Sequence, residues 1–198
     1  MSNRRRFIAT AIALTLIVGA GAIGYATFLM TPQVRAADSF GTAFTLTDDR
    51  GEPITEKALS GHPSLVYFGY THCPDECPTT LANLANALRD LGPRANDVRV
   101  LFVSVDPQRD TLPILKAYVS TFAPQIDGLR GTDDQIAALA RRYRVLYRVT
   151  PASAGQDSQV MHSDSTFFFD PSGHARFVTT RTDDPQAIAG DIQRLSQI

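Results

Sequence analysis

The chain has 198 residues, enough for one globular domain of ordinary size with a short appendage, and its 43% hydrophobic content excludes a disordered chain. Its formal charge of −1 is unevenly spread: Arg4, Arg5 and Arg6 lead the chain, and from Thr31 onward 16 basic residues face 20 acidic ones, a net −4. That balance offers no basic stripe for a phosphate backbone, which argues against nucleic acid as a partner.

Residues 1–6 form a basic N-terminus, and residues 7–30, from Phe7 to Met30, carry no charge. A stretch of this length crosses a hydrocarbon core of about 30 Å as one transmembrane helix. The arginine cluster before it is expected to stay in the cytoplasm, leaving the rest of the chain on the periplasmic side of a bacterial inner membrane. The competing reading is a cleaved signal, with Val34-Arg35-Ala36 ahead of Ala37 as its small-residue site.

Residues 31–39 read as a polar linker, and residues 40–198 as the folded domain. Phe40 to Leu46 predicts a strand ahead of the turn Asp48-Asp49-Arg50-Gly51. Ser64 to Tyr70 is a compact apolar run suited to a buried central strand. Pro78 to Leu91 follows with Leu81, Leu84, Ala85, Leu88 and Leu91 at helical spacing, stopped by Gly92-Pro93. Val98 to Val105 predicts a second buried strand. Asp110 or Thr111 then caps a helix running to about Phe122, and Asp133 to Tyr143 predicts another.

Thr166 to Phe169 and Ala175 to Thr180 flank Asp170-Pro171-Ser172-Gly173 as a β-hairpin, and a final helix begins at Asp184-Pro185. The alternation predicts an α/β domain with a mostly parallel sheet covered on both faces. The order of elements is that of a thioredoxin-like fold with a helical insertion and a C-terminal β-hairpin plus helix.

The chain has two cysteines, Cys73 and Cys77, at the junction of a predicted buried strand and helix. A helix N-terminus favours a thiolate there, and Cys77, just ahead of Pro78, is expected to feel it most. A disulfide closing so small a loop stabilises a fold by only about 2 kcal/mol, which makes it a poor structural staple. The spacing is Cys-x-x-x-Cys, one residue longer than in ordinary thioredoxin-like redox enzymes, so the sulfurs can spread around a shared ion or join reversibly. Soft thiolates favour Cu(I), whereas zinc normally asks for four protein ligands. The Pro-x-x-x-Thr-x-x-Cys pattern of peroxide-reducing relatives of the fold is absent at both cysteines.

Of the four histidines, His62 and His174 fall in turns, where a solvated imidazole is expected, and His72 adjoins Cys73 with a side chain expected to diverge from it. His162 stands apart because it leads directly into the hairpin strand that pairs beside the cysteine-motif strand in this fold.

Three segments together carry a resemblance. Gly69-Tyr70-Thr71-x-Cys73-Pro74-Asp75-x-Cys77-Pro78, then Ser104-Val105-Asp106-Pro107-x-Arg109-Asp110-Thr111, then His162-Ser163 followed by Phe-Phe-Asp170-Pro171-x-Gly173, resemble the signature of the Sco/SenC family in order and spacing. The likeness spans roughly residues 40 to 195. It implies a site for copper, as Cu(I) or Cu(II), made by Cys73, Cys77 and His162, with Cys73 and Cys77 also able to form a redox disulfide. It further implies delivery of the metal to the copper-binding subunit of cytochrome c oxidase, with another copper chaperone or a thioredoxin-like reductant as further partners.

The chain departs from the family at Met161, where an Asp usually precedes the ligand histidine and fixes its tautomer; Asp164 is the candidate to replace it from the other side. Met161 itself is expected to pack, with a thioether contact to Cu(I) as the alternative. Asp106 and Arg109 are read as a loop pair beside the site, and Asp75 as a solvated acid that could also attract a cation. The leading expectation is a metallochaperone rather than an enzyme. The alternatives are a thiol-disulfide reductase for the oxidase's cysteines and a redox or copper sensor, and His162 is required only by the chaperone.

Overall fold

The computed structural model describes residues 43–150 and 158–197. The predicted membrane segment at 7–30, the linker at 31–39 and the first residues of the predicted strand at 40–42 lie outside that range. No helix among the described residues is long and apolar enough to cross a membrane.

The domain is built around a strand buried at every position, β3 (Ser64–Gly69), which follows β1 (Thr45–Asp48) and β2 (Pro53–Thr55). After helix α1 (Glu76–Leu91) comes β4 (Arg99–Ser104), parallel to β3. Helix α2 (Leu112–Val119) then leads to β5 (Ile126–Arg130), parallel to β4. The β8–β9 hairpin (Thr166–Phe169, Ala175–Thr179) lies antiparallel on the other side of β3, and β1–β2 closes the far edge against β5. The strand order is β2-β1-β5-β4-β3-β8-β9.

Each face of this sheet carries its own layer, as strand alternation requires. On one face Tyr67 and Phe102 stack toward Tyr118 of α2, and α1 packs with α4 (Pro185–Leu195). On the other, Phe68 and Phe167 meet Tyr143 of α3 (Asp133–Tyr143) edge to face, at ring separations of 5.3 and 4.9 Å. A separate two-stranded ladder, β6 (Tyr147–Thr150) with β7 (Gln159–His162), carries the chain into β8.

The architecture is thus thioredoxin-like, with two corrections to the sequence reading. The sheet is mixed: two of the six pairings in the seven-stranded sheet are parallel. The inserted segment also holds a strand, β5, between the two helices expected to follow one another. Its sequence, Ile126-Asp127-Gly128-Leu129-Arg130, lacks a strand-like apolar run because a packing demand sets its middle: a Cβ at Gly128 would stand 2.5 Å from Leu115 Cγ of α2. Asp127 in turn receives Arg50 Nη1 at 2.7 Å and Arg99 Nε at 2.9 Å, which satisfies an acid buried in a strand.

Candidate metal centre

At the carboxyl end of β3 the chain leaves Gly69, passes Tyr70, Thr71 and His72, and reaches Cys73 before entering α1. This end of the parallel strands is where open α/β sheets build sites. Gly69 matters for a steric reason, because a Cβ there would come within 2.9 Å of Cys77 Sγ and 2.7 Å of the Phe102 ring.

Asp110 anchors the loop from the neighbouring strand. Fully buried, it accepts hydrogen bonds from Thr71 N at 3.0 Å, Thr71 Oγ1 at 2.6 Å and Ser104 Oγ at 2.6 Å. The sequence reading made Asp110 or Thr111 a helix cap. Thr111 holds the cap position of α2, and Asp110 instead ties the cysteine loop to the end of β4. Its place inside the second motif segment was the available signal.

Cys73, Cys77 and His162 converge, with their donor atoms all within 4.8 Å of one another. His162 arrives from the last position of β7, and its Nε2 stands 3.2 Å from Cys77 Sγ. Its Nδ1 lies 3.2 Å from the Ser163 carbonyl oxygen. A carbonyl only accepts, so Nδ1 carries the proton and Nε2 turns its lone pair toward the sulfurs. Tyr67 and Tyr70 bracket the imidazole edge to face, at ring separations of 6.2 and 5.8 Å.

The electrostatics of the cysteines reverse the expectation. Cys77 is fully buried, and that burial pushes its thiol well above the ordinary range, only partly offset by a backbone hydrogen bond at Tyr70. The positive end of α1 serves the other sulfur: Cys77 N donates to Cys73 Sγ at 3.4 Å, while Asp75 at the helix cap makes no capping bond. Cys73 is the half-buried thiol of the pair. Tyr70, close to Cys73, is pushed up to about 12, first by burial and then by that sulfur.

The supporting candidates separate clearly. Asp106 pairs with Arg109, whose Nη1 reaches the Ser158 carbonyl at 2.9 Å and whose guanidinium lies 5.8 Å over the Tyr70 ring. Arg109 therefore links the loop after β4 to the segment that starts β7. Asp164 accepts from Thr80 Oγ1 at 3.4 Å rather than from His162, so the tautomer-fixing role falls to the Ser163 carbonyl. Asp75 is exposed, and its side chain receives Thr79 Oγ1 at 3.5 Å. His72 turns to Thr71 Oγ1 at 3.0 Å and stays outside the cluster, as do His62 and His174.

Met161 does not pack as expected. It is 75% exposed, because alternation along β7 sends Val160 and His162 to one side and Met161 to the other. A carboxylate at this position would share that orientation. Met161→Asp is accordingly expected to leave Cu(I) affinity within about threefold of the parent, under about 1 kcal/mol, in a chelator competition. A loss beyond about tenfold would show that the thioether contacts the metal.

Fold and cluster define a thioredoxin-like domain with two thiols and an imidazole gathered at the carboxyl end of its parallel strands. The chain belongs to the SCO1/SenC family, whose family model matches residues 32–197. It is 36% identical over 172 residues to an SCO2-like protein of Rickettsia prowazekii, covering 82% of this chain and 84% of that one. To Protein SenC of Rhodobacter capsulatus it is 38% identical over 137 residues, 69% of this chain and 61% of the relative. Among solved structures it is similar to copper-bound ScoI of Bradyrhizobium japonicum, with a TM-score of 0.72 and 38% identity over 78% of this chain and 98% of that one. Yeast Sco1 superposes with a TM-score of 0.73 at 35% identity, covering 80% and 98%.

Proposed function

We propose that this protein is a copper chaperone of cytochrome c oxidase assembly: Cys73, Cys77 and His162 hold one copper ion, which passes to the copper-binding subunit of the oxidase. The observation that carries this reading is the convergence of the three donors with Nε2 of His162 already facing the sulfurs. Two thiolates and an imidazole suit Cu(I), and the imidazole extends the set toward Cu(II). The copper-bound state of a relative at 38% identity supports the same choice of metal. Residues 7–30 anchor the chain in the bacterial inner membrane, and residues 40–198 work in the periplasm.

The unequal burial of the sulfurs gives the transfer a direction. Cys77 is enclosed, whereas Cys73 lies half-buried in the loop ahead of α1, so an incoming thiolate from a partner reaches the metal on the Cys73 side. Copper then moves by ligand exchange, without change in the covalent structure of the chain. Oxidation of Cys73 and Cys77 to a disulfide removes both thiolates and closes the site, so a thioredoxin-like reductant is needed upstream. Another copper chaperone supplies the metal.

The reduced domain is expected to take up one copper per chain and the disulfide form little. Burial holds Cys77 protonated through the neutral range, so binding releases its proton. Apparent Cu(I) affinity is therefore expected to rise about tenfold per pH unit for each proton released between about pH 6 and about pH 8. Equal copper uptake by the oxidised form, or a flat pH profile, would contradict a thiolate site.

A further inference from the structure

His162 arrives on an arm that the main sheet does not hold. Among the described residues β7 pairs with β6 alone, and neither strand joins the seven-stranded sheet whose β3 leads to the two cysteines. Along β7 itself, Val160 is the one buried residue. The distance between the imidazole and the sulfurs therefore depends on side-chain contacts that tie this arm to the ends of β3 and β4.

Arg109 supplies two such contacts at once. Its Nε and Nη2 form an ion pair with the buried carboxylate of Asp106. Asp106 is itself fixed: its N–H donates to Ser104 Oγ at 3.2 Å, and its carbonyl accepts at 3.0 Å from the N–H of Asp110, the residue that anchors the cysteine loop. From this brace Arg109 Nη1 donates to the carbonyl of Ser158 at 2.9 Å, four residues ahead of His162 and next to the start of β7. The guanidinium face lies 5.8 Å over the Tyr70 ring, and that ring meets His162 edge to face, with 5.8 Å between centres and 88° between planes. Arg109 thus reaches the histidine by two routes, the β7 backbone and the Tyr70 ring, without being one of the three donors.

We infer that Arg109 is a positioning residue: braced on Asp106, it holds the β6–β7 arm against the cysteine loop and so keeps His162 beside the two sulfurs. The inference rests on the copper reading of the site and adds to it a residue outside the three ligands. The task calls for arginine rather than for any positive charge. A planar guanidinium can pair with a carboxylate along one edge, donate to a carbonyl from another and offer its face to an aromatic ring. An ammonium is a compact charge on a flexible stem and has no such face. A lysine here would keep a pair with Asp106 but lose the reach to Ser158 and the stack on Tyr70.

The test introduces Arg109→Lys into the full chain, both in the parent and in the His162→Ala background. Without metal, amide hydrogen exchange at residues 159–162 is expected to quicken at least about threefold, while the amides of β3 and β4 keep the parent's rates and show that the fold is intact. With copper, the Cu(I) affinity of Arg109→Lys in a chelator competition is expected to fall about tenfold, the lower end of what contacts that orient a metal ligand are worth. In the His162→Ala background the same substitution is expected to change it by less than about twofold, because no imidazole remains to be positioned. A merely structural Arg109 would cost the same in both backgrounds. Tyr70→Leu removes one of the two routes and leaves the buried ion pair intact, so it gives the same comparison if the lysine variant loses protection across the whole sheet. Its loss of affinity is again expected only where His162 is present. Equal losses in the two backgrounds, or exchange and affinity like the parent's, would overturn the role of Arg109 while leaving the copper site in place. A parent that takes up no copper would overturn the copper reading and this inference together.

Discussion

Asp110→Ala is expected to cost about 3 kcal/mol or more in urea unfolding and to weaken copper binding although the residue touches no metal ligand. The carboxylate receives three donors in a fully buried position, from Thr71 N, Thr71 Oγ1 and Ser104 Oγ. Removing it leaves Thr71 N and Ser104 Oγ without this acceptor, at about 1–3 kcal/mol apiece before relaxation and water entry reduce the sum, while Thr71 Oγ1 still has His72 Nδ1 at 3.0 Å. Thr71 lies two residues ahead of Cys73, so freeing it loosens the path on which the first sulfur is hung. Asp110→Asn retains an acceptor and the side-chain volume, and its loss is expected to be roughly half as large. If the alanine variant unfolds with the parent's midpoint and binds copper with the parent's affinity, Asp110 is not the anchor of this loop.

Much of this geometry was legible in the sequence, and the reasons differ from one element to another. Helix α3 falls where its periodicity placed it, Asp133 to Tyr143, because its apolar stripe, Ile136, Leu139, Ala140 and Tyr143, is buried as a unit. Helix α4 is likewise announced by Asp184, whose Oδ1 accepts from Gln186 N and Ala187 N. Strand β5 was not legible, since Asp127 and Gly128 answer to an ion pair and to Leu115 rather than to strand propensity. The β6–β7 ladder was missed because Tyr147–Thr150 and Gln159–His162 are short and largely exposed. At the site, the spacing of Cys73 and Cys77, the place of His162 ahead of the hairpin strand and the family resemblance singled out the three residues, but they could not show which sulfur the helix end serves. That depends on burial: Cys77 turns inward behind Gly69, and its own N–H is left for Cys73.

His162→Ala is expected to have the largest effect on metal binding. Losing a contact that merely supports a ligand costs about 10- to 100-fold in affinity, and this variant loses the ligand itself. Cu(II) is affected most, because it favours nitrogen donors and the two remaining sulfurs readily reduce it. Cu(I) binding falls but does not vanish, since two thiolates still accommodate it. Dithiol exchange between Cys73 and Cys77 needs no imidazole, so the disulfide of the variant should still be reduced by a small thiol. Electronic spectra with Cu(II), a Cu(I) chelator competition and a thiol-exchange assay separate these outcomes. Loss of thiol exchange in parallel with loss of copper would mean that His162 serves the sulfurs rather than the metal.

The chaperone reading is tested most directly by oxidase assembly in cells that lack this protein, complemented with either the parent chain or His162→Ala at matched protein levels. The parent is expected to restore the oxidase and the variant to fail, although the variant keeps a reducible Cys73–Cys77 pair. Full restoration by His162→Ala would contradict copper delivery and leave dithiol reduction as the function of the site.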